Sequence, residues 1–251
     1  MAFELFCTPQ SRNKKKLPKI FEKAEALHFE MEGTMIRGWR FNHPSDKKLL
    51  IVHGYESSGI NFDRYVRPLI KKGYEVLSFD ASAHGRSGGK KINAPLYKRM
   101  IREIDKRYGP IRSFMAHSFG GLAVSLALEE ISHDKDYKLI LIAPATETTS
   151  AIDSFFKFLQ LDEALRPEFE RIIIKNGGVT SAWYSIRRAM KNIQAKVLWL
   201  HDDEDDITPI SDALKVKAEN HPNIEFVITQ GLGHRRIYRD NKVSKVIIDF
   251  L

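Results

Sequence analysis

Cysteine is nearly missing from this chain: Cys7 is the only one among 251 residues. No internal disulfide can form, so a disulfide-stapled scaffold is excluded and stability must come from packing. Cys7 itself stands in what reads as a mobile terminus. Also missing is any run of the roughly 18 uninterrupted apolar residues that a membrane-spanning helix requires, so no integral membrane segment is expected. The opening Met1 to Cys7 is short, contains Glu4 and precedes the basic Arg12 to Lys16. That order does not fit a secretory signal, and a cytoplasmic location is the default expectation. No internal repeat, low-complexity tract or Pro/Gly-rich linker divides the chain, which reads as one domain over 1–251.

Acidic residues are in deficit: 32 Asp and Glu against 40 Lys and Arg leave a net charge of +8. The surplus lies in Lys14 to Lys16, Lys71-Lys72, Lys90-Lys91, Lys98-Arg99, Lys106-Arg107 and Arg235-Arg236. Most of these read as solvated faces. Any function of the charge would be to attract an acidic carrier or an anionic surface. The pairs are dispersed and no nucleic-acid motif accompanies them, so nucleic acid is not an expected partner.

What the sequence does contain is a series of short apolar runs separated by amphipathic stretches, the alternation of βαβ units. The runs are 49–52, 75–79, 112–116, 139–142, 197–200 and 224–228. Their near-continuous apolarity predicts buried parallel strands. Helices are predicted at about 60–72, 95–107, 118–131, 210–220 and 236–250 from apolar residues at helical spacing. Ahead of them, Leu27 to Met31 and Met35 to Phe41 flank Glu32-Gly33-Thr34 as an antiparallel hairpin. The fold class is therefore α/β, a mostly parallel central sheet flanked by helices. Residues 146–192 interrupt the rhythm with a helical pattern, and an insertion there sits where open α/β sheets bind ligands. They read as a small lid, the plainer alternative being a helical pair packed on the sheet edge.

Four pieces of sequence carry chemistry. Ala116-His117-Ser118-Phe119-Gly120-Gly121 follows a strand and opens a helix, the setting of a nucleophile elbow. Small residues two before and two after the nucleophile avoid collisions across the bend, and Ala116 and Gly120 meet that need. His53-Gly54-Tyr55 follows the first parallel strand. Its Tyr55 amide, with that of Phe119, would form the pair of N–H donors an oxyanion requires. His53 reads as structural. In Leu200 to Pro209 there are too many acids, and the spacing of His201, four positions to Asp205 and four to Pro209 selects Asp205, with Asp206 as runner-up. The bland alternative for that stretch is a solvated acidic turn or a weak cation site. Gln230-Gly231-Leu232-Gly233-His234 follows the last strand and places an imidazole within reach of a serine across the sheet edge.

The order Ser118, Asp205, His234, with each member after a strand, resembles the serine hydrolases of the α/β-hydrolase superfamily over about Leu27 to Leu251. A further match is Asp80 to Gly89, similar to the loop after the second parallel strand of that superfamily, where its role is mainly structural. Ala116 departs mildly from the usual Gly. Ser at the elbow differs from the Asp of haloalkane dehalogenases and epoxide hydrolases, and His53-Gly54-Tyr55 lacks the extra glycines of the His-Gly-Gly-Gly lipases. The resemblance implies an esterase, thioesterase, monoglyceride-lipase-like or peptidase-like enzyme. Its expected chemistry is cleavage of an ester or thioester of a small acyl substrate by Ser118, His234 and Asp205 through an acyl-enzyme, without metal or cofactor. The alternatives are an amidase or peptidase of the same superfamily, or a non-catalytic binding protein on its fold. Phe155, Phe156, Phe158 and Trp183 of the insertion are expected to line an apolar acyl pocket, or else to pack the insertion itself.

Overall fold

A computed structural model describes residues 2–12 and 15–251. Lys14 of the first basic cluster lies outside the described residues. The element order begins with helix α1 (Ala2–Phe6), strands β1 (Glu25–Met31), β2 (Thr34–Phe41) and β3 (Lys48–Val52), helix α2 (Asp63–Lys71) and β4 (Glu75–Asp80). It continues with α3 (Ala94–Tyr108), β5 (Ser113–His117), α4 (Phe119–Leu128), β6 (Lys138–Ile142), α5 (Thr148–Leu159), α6 (Arg166–Gly177) and α7 (Ile186–Ala189). It ends with β7 (Lys196–Asp202), α8 (Ile210–Ala218), β8 (Ile224–Thr229), α9 (Gly233–Arg236) and α10 (Asn241–Phe250).

The strands form one eight-stranded sheet in the order β1-β2-β4-β3-β5-β6-β7-β8. From β4 to β8 all neighbours run parallel, while the β1–β2 hairpin adds an antiparallel edge through β2 against β4. Glu32 and Gly33 close that hairpin with φ of 49° and 70°, the left-handed pair a two-residue turn demands. The apolar runs are parallel strands because both faces are covered. Leu50, Leu77, Phe114, Leu139 and Trp199 point to one face with α3 and α4 residues, whereas Leu49, Ile51, Val76, Met115, Ile140 and Leu198 point to the other with α2 and α10 residues. Side-chain alternation along each strand thus feeds two cores.

The hairpin and all six runs are found as strands, with ends shifted by one or two residues. The predicted helix at 236–250 is broken. Asp240 has an extended ψ of 143° and its carboxylate accepts the amides of Lys242 and Val243, so it caps α10 rather than continuing a helix from α9. Around 60–72, a 3₁₀ turn at Gly59–Phe62 precedes α2. Residues 146–192 hold α5, α6, α7 and three 3₁₀ turns, between β6 and β7.

The expectation of a mobile amino terminus is overturned around Cys7, which is 3% exposed. Its carbonyl accepts the Ile92 amide at 2.8 Å, and α1 rests on the insertion through Phe3 and Phe6. Burial pushes the thiol up to about 12, leaving it protonated and unreactive. No helix among the described residues is long and apolar enough to cross a membrane. Several of the basic pairs are neutralised: Lys91 pairs with Glu4, Lys98 with Glu130 and Arg107 with Glu103.

Candidate active site

Ser118 sits between β5 and α4 with φ 55° and ψ −126°. A non-glycine residue there is strained by about 1–3 kcal/mol, and it persists only where its surroundings hold it. They do so through hydrogen bonds: the Ser118 amide donates to Ile142 O at 3.1 Å, and its carbonyl accepts the amides of Gly121 and Ala145 at 2.8 and 3.0 Å. A Cβ on Gly120 would lie 2.5 Å from His53 O and 2.7 Å from Val52 O, so only glycine lets α4 start this close to the end of β3. The absence of a side chain at Gly54 likewise matters, since a Cβ there would stand 2.8 Å from that of Ser118. Gly54 thus brings its loop against Ser118, and among the described residues neither the Tyr55 nor the Phe119 amide has a hydrogen-bond acceptor.

His234 lies in α9, reached through Gly231 and Gly233 at φ 73° and 59°. Its Nδ1–H donates to Asp205 Oδ2 at 2.8 Å. The Asp205 side chain is fully buried, and Oδ1 accepts the amides of Ile207 and Thr208 at 2.9 and 2.8 Å. Thr208 Oγ1 donates to Asp205 Oδ2 at 2.8 Å and lies 3.2 Å from His234 Nδ1. Burial would raise the Asp205 carboxyl, but the bond and charge of His234 and the two amides outweigh it and hold the pKa below the ordinary value. Asp205, not the exposed runner-up Asp206, is therefore the imidazole's partner. Ser118 and His234 are 8% and 7% exposed, so water reaches the pair only narrowly.

Three supporting side chains escaped the sequence reading. His117 Nε2–H donates to the His234 carbonyl at 3.0 Å, bracing α9 against β5. Its ring is held neutral, with the pKa driven down to about 3 by burial and then by the neighbouring His234. Asp202, completely buried at the end of β7, accepts Thr229 Oγ1 at 2.6 Å and the amides of Leu232 and Gly233 at 3.1 and 2.8 Å. It ties the acid loop to the histidine loop. Thr208 is the third, by its bonds to Asp205. A signal existed for Asp202: an acid inside a buried strand must find donors, and the nearest backbone lies in the loop after β8.

His53 and the loop after β4 are structural, as expected. His53 Nδ1–H donates to Gly54 O at 2.7 Å and Nε2 accepts the Ala81 amide at 2.9 Å. Asp80 accepts Ser58 Oγ, the Gly59 amide and the Arg86 amide, while Ser87 Oγ donates to Asp80 O. His84 bonds the Glu56 amide and Ser82 O, and burial lowers its pKa to about 3. No group of three or more metal-ligating side chains occurs among the described residues.

The four aromatics of the insertion do not line a common pocket. Phe156 is 1% exposed within the insertion's core, and Phe158 is 83% exposed on its outside. Trp183 lies apart from both, beneath the Arg188 guanidinium at 3.9 Å. At about 100° per residue Phe156 is turned about 100° from Phe155 and about 160° from Phe158, so it cannot share a face with either. Phe155 and Trp183 are each partly accessible and packed on the core.

An eight-stranded, mostly parallel sheet that carries a serine elbow, an acid and a histidine at its strand ends defines an α/β hydrolase. Residues 43–178 match the family described as serine aminopeptidase, S33, and the chain belongs to it. YqkD of Bacillus subtilis is similar at 23% identity over 252 residues, covering 92% of this chain and 81% of that protein. A solved esterase of Pyrococcus furiosus superposes with a TM-score of 0.70 at 22% identity, covering 98% of this chain and 97% of the other. A hydrolase structure from Thermoplasma acidophilum does so with a TM-score of 0.65 at 19% identity, over 90% and 97% of the two chains. At these identities the structural likeness is one of fold.

Proposed function

We propose that this enzyme is a serine hydrolase that cleaves a carboxylic ester or thioester through an acyl-enzyme. The observation that carries the reading is the 2.8 Å bond from His234 Nδ1–H to a buried, charged Asp205, together with a serine held at positive φ at the end of β5. With Nδ1 committed to the carboxylate, Nε2 is free of a proton and serves as general base toward Ser118 Oγ. Ser118 attacks the carbonyl carbon as His234 takes its proton. The oxygen's developing charge is met by the Tyr55 and Phe119 amides, preorganised because nothing else occupies them. His234 then protonates the leaving alcohol or thiol. Water, deprotonated by the same imidazole, releases the acid and restores Ser118.

The 146–192 insertion serves in this reading as the lid over the acyl site. The enzyme's partner is a small-molecule acyl substrate, and neither metal nor cofactor takes part. The family's peptidase description favours a second substrate class, the amide of an amino-terminal residue. Nitrophenyl esters from acetate to palmitate, and aminoacyl nitroanilides, test both with the wild type and Ser118→Ala. Ester turnover abolished by the substitution supports the esterase, and turnover of the anilides alone supports the aminopeptidase. Ester turnover that survives Ser118→Ala contradicts the mechanism.

A further inference from the structure

The amino-terminal helix α1 touches both halves of the site. Phe3 and Phe6 meet the Phe169 ring at 5.3 and 5.5 Å, and Phe6 meets Phe155 at 5.1 Å, all edge-on. On the opposite side, the Phe6 carbonyl accepts the Tyr55 hydroxyl at 3.2 Å, and the Tyr55 ring lies 6.1 Å from that of Phe119. The chain beyond α1 is anchored to the same loop, the Gln10 and Ser11 amides donating to Glu56 Oε1 at 2.7 and 3.1 Å.

Phe119 and Tyr55 form one ring pair beside Ser118, Phe6 and Phe155 a second at the insertion, and the Tyr55 hydroxyl on the Phe6 carbonyl joins the two pairs. Each ring is partly accessible, whereas Phe156 and Phe169 behind them are buried. Apolar surface that stays wet while backed by packed rings is a surface for an apolar ligand. The four rings carry no charge, and their one polar atom, Tyr55 Oη, is already bonded to the Phe6 carbonyl. Neither a charged nor a hydrogen-bonding ligand group finds a partner among them.

We propose that α1 is one wall of an acyl-chain groove that leads from Ser118 along Phe119 and Tyr55 to Phe155, and that Phe6 sets the preferred acyl length. The inference rests on the serine-hydrolase reading for its turnover test. It adds a specificity residue from outside the insertion.

Hydrolysis of nitrophenyl octanoate and acetate by the wild type, Phe6→Ala and Phe6→Leu tests it. The octanoate-to-acetate ratio of kcat/KM falls about tenfold in Phe6→Ala, through KM, and recovers largely in Phe6→Leu, because the lost ring contacts touch only the longer chain. Leu165→Ala, at an exposed position of the same insertion, leaves the ratio at its wild-type value. A ratio unchanged by Phe6→Ala overturns the proposal.

A second arm is independent of turnover. Phe6→Trp is combined with Ser118→Ala and titrated with decanoate, with Ser118→Ala alone as the blank. A saturable change in indole emission supports the groove, and none overturns it. Absence of ester turnover together with saturable decanoate binding overturns the esterase reading and leaves the groove standing.

Discussion

Asp202 Oδ1 accepts the Gly233 amide at 2.8 Å, one residue before His234. A buried carboxylate that is no member of the proposed catalytic set therefore holds the backbone beside the imidazole. Burial alone would raise the Asp202 pKa, but the Thr229 hydroxyl and the amides of Gly233, Leu232 and Glu204 together depress it.

Asp202→Asn turns an NH₂ toward donors that now meet an oxygen. The fold loses about 2–3 kcal/mol, as expected for a charged hydrogen-bond acceptor removed from a buried site. Urea unfolding measures this loss, and kcat falls with it as the His234 loop loosens. A variant of wild-type stability and kcat would show that the loop is held by other contacts.

Asp205→Asn keeps the shape of the acid loop but presents either a weaker acceptor or an NH₂ to His234 Nδ1. The wrong tautomer then places its proton on Nε2, and kcat falls by about 10⁴ while the far-ultraviolet dichroism stays that of the wild type; the melting temperature drops as for Asp202→Asn, because a buried charged acceptor is lost. Thr208→Val removes one donor to Asp205 Oδ2 and lowers kcat far less. Steady-state ester kinetics at one pH compares the two, and equal losses would contradict their separate roles.

Gly120→Ala brings a methyl group against two backbone carbonyls, at 2.5 and 2.7 Å. Backbone cannot rotate away as a flexible side chain would, so the elbow must shift. The expected cost is at least about 2 kcal/mol, with a matching loss of Ser118 reactivity. Thermal unfolding that matched the wild type would contradict the packing described around α4.

Acid should destabilise this protein well above the carboxylate range. Burial lowers the pKa of His53, His84, His117 and His201, to about 3 for His84 and His117. Below about 6.5 the unfolded chain takes up protons that these folded imidazoles refuse. Their contribution is therefore complete above that pH and is lost as the pH falls toward each folded pKa, about 3 for His84 and His117. Between about 6.5 and that value each of these two removes about 1.4 kcal/mol per pH unit. Urea midpoints from pH 7 to 4.5 measure the slope, and His84→Gln reduces it by one proton. A flat profile would show that the histidines protonate in the folded state.

Much of the architecture was legible because buried parallel strands leave near-continuous apolar runs, as in 49–52 and 139–142, that few alternatives produce. The pairing of Asp205 with His234 was legible because each lies in the loop after a strand, and loops on one sheet edge meet in space. His117 and Asp202 were not, since their partners lie 117 and 31 positions away and depend on how loops stack across that edge. The break at Asp240 was hidden by apolar spacing that continues across it; a capping acid looks like any surface acid. The docking of α1 left no local trace, because Phe3 and Phe6 find their rings more than a hundred residues downstream.

Labelling with a fluorophosphonate probe, followed by peptide mass spectrometry, tests the central claim most directly. The account predicts one stoichiometric phosphonyl adduct on Ser118, formed by the wild type and lost in Ser118→Ala and in His234→Ala, where no base activates the hydroxyl. No adduct on Ser118 in folded wild-type protein, or equal labelling without His234, would contradict it.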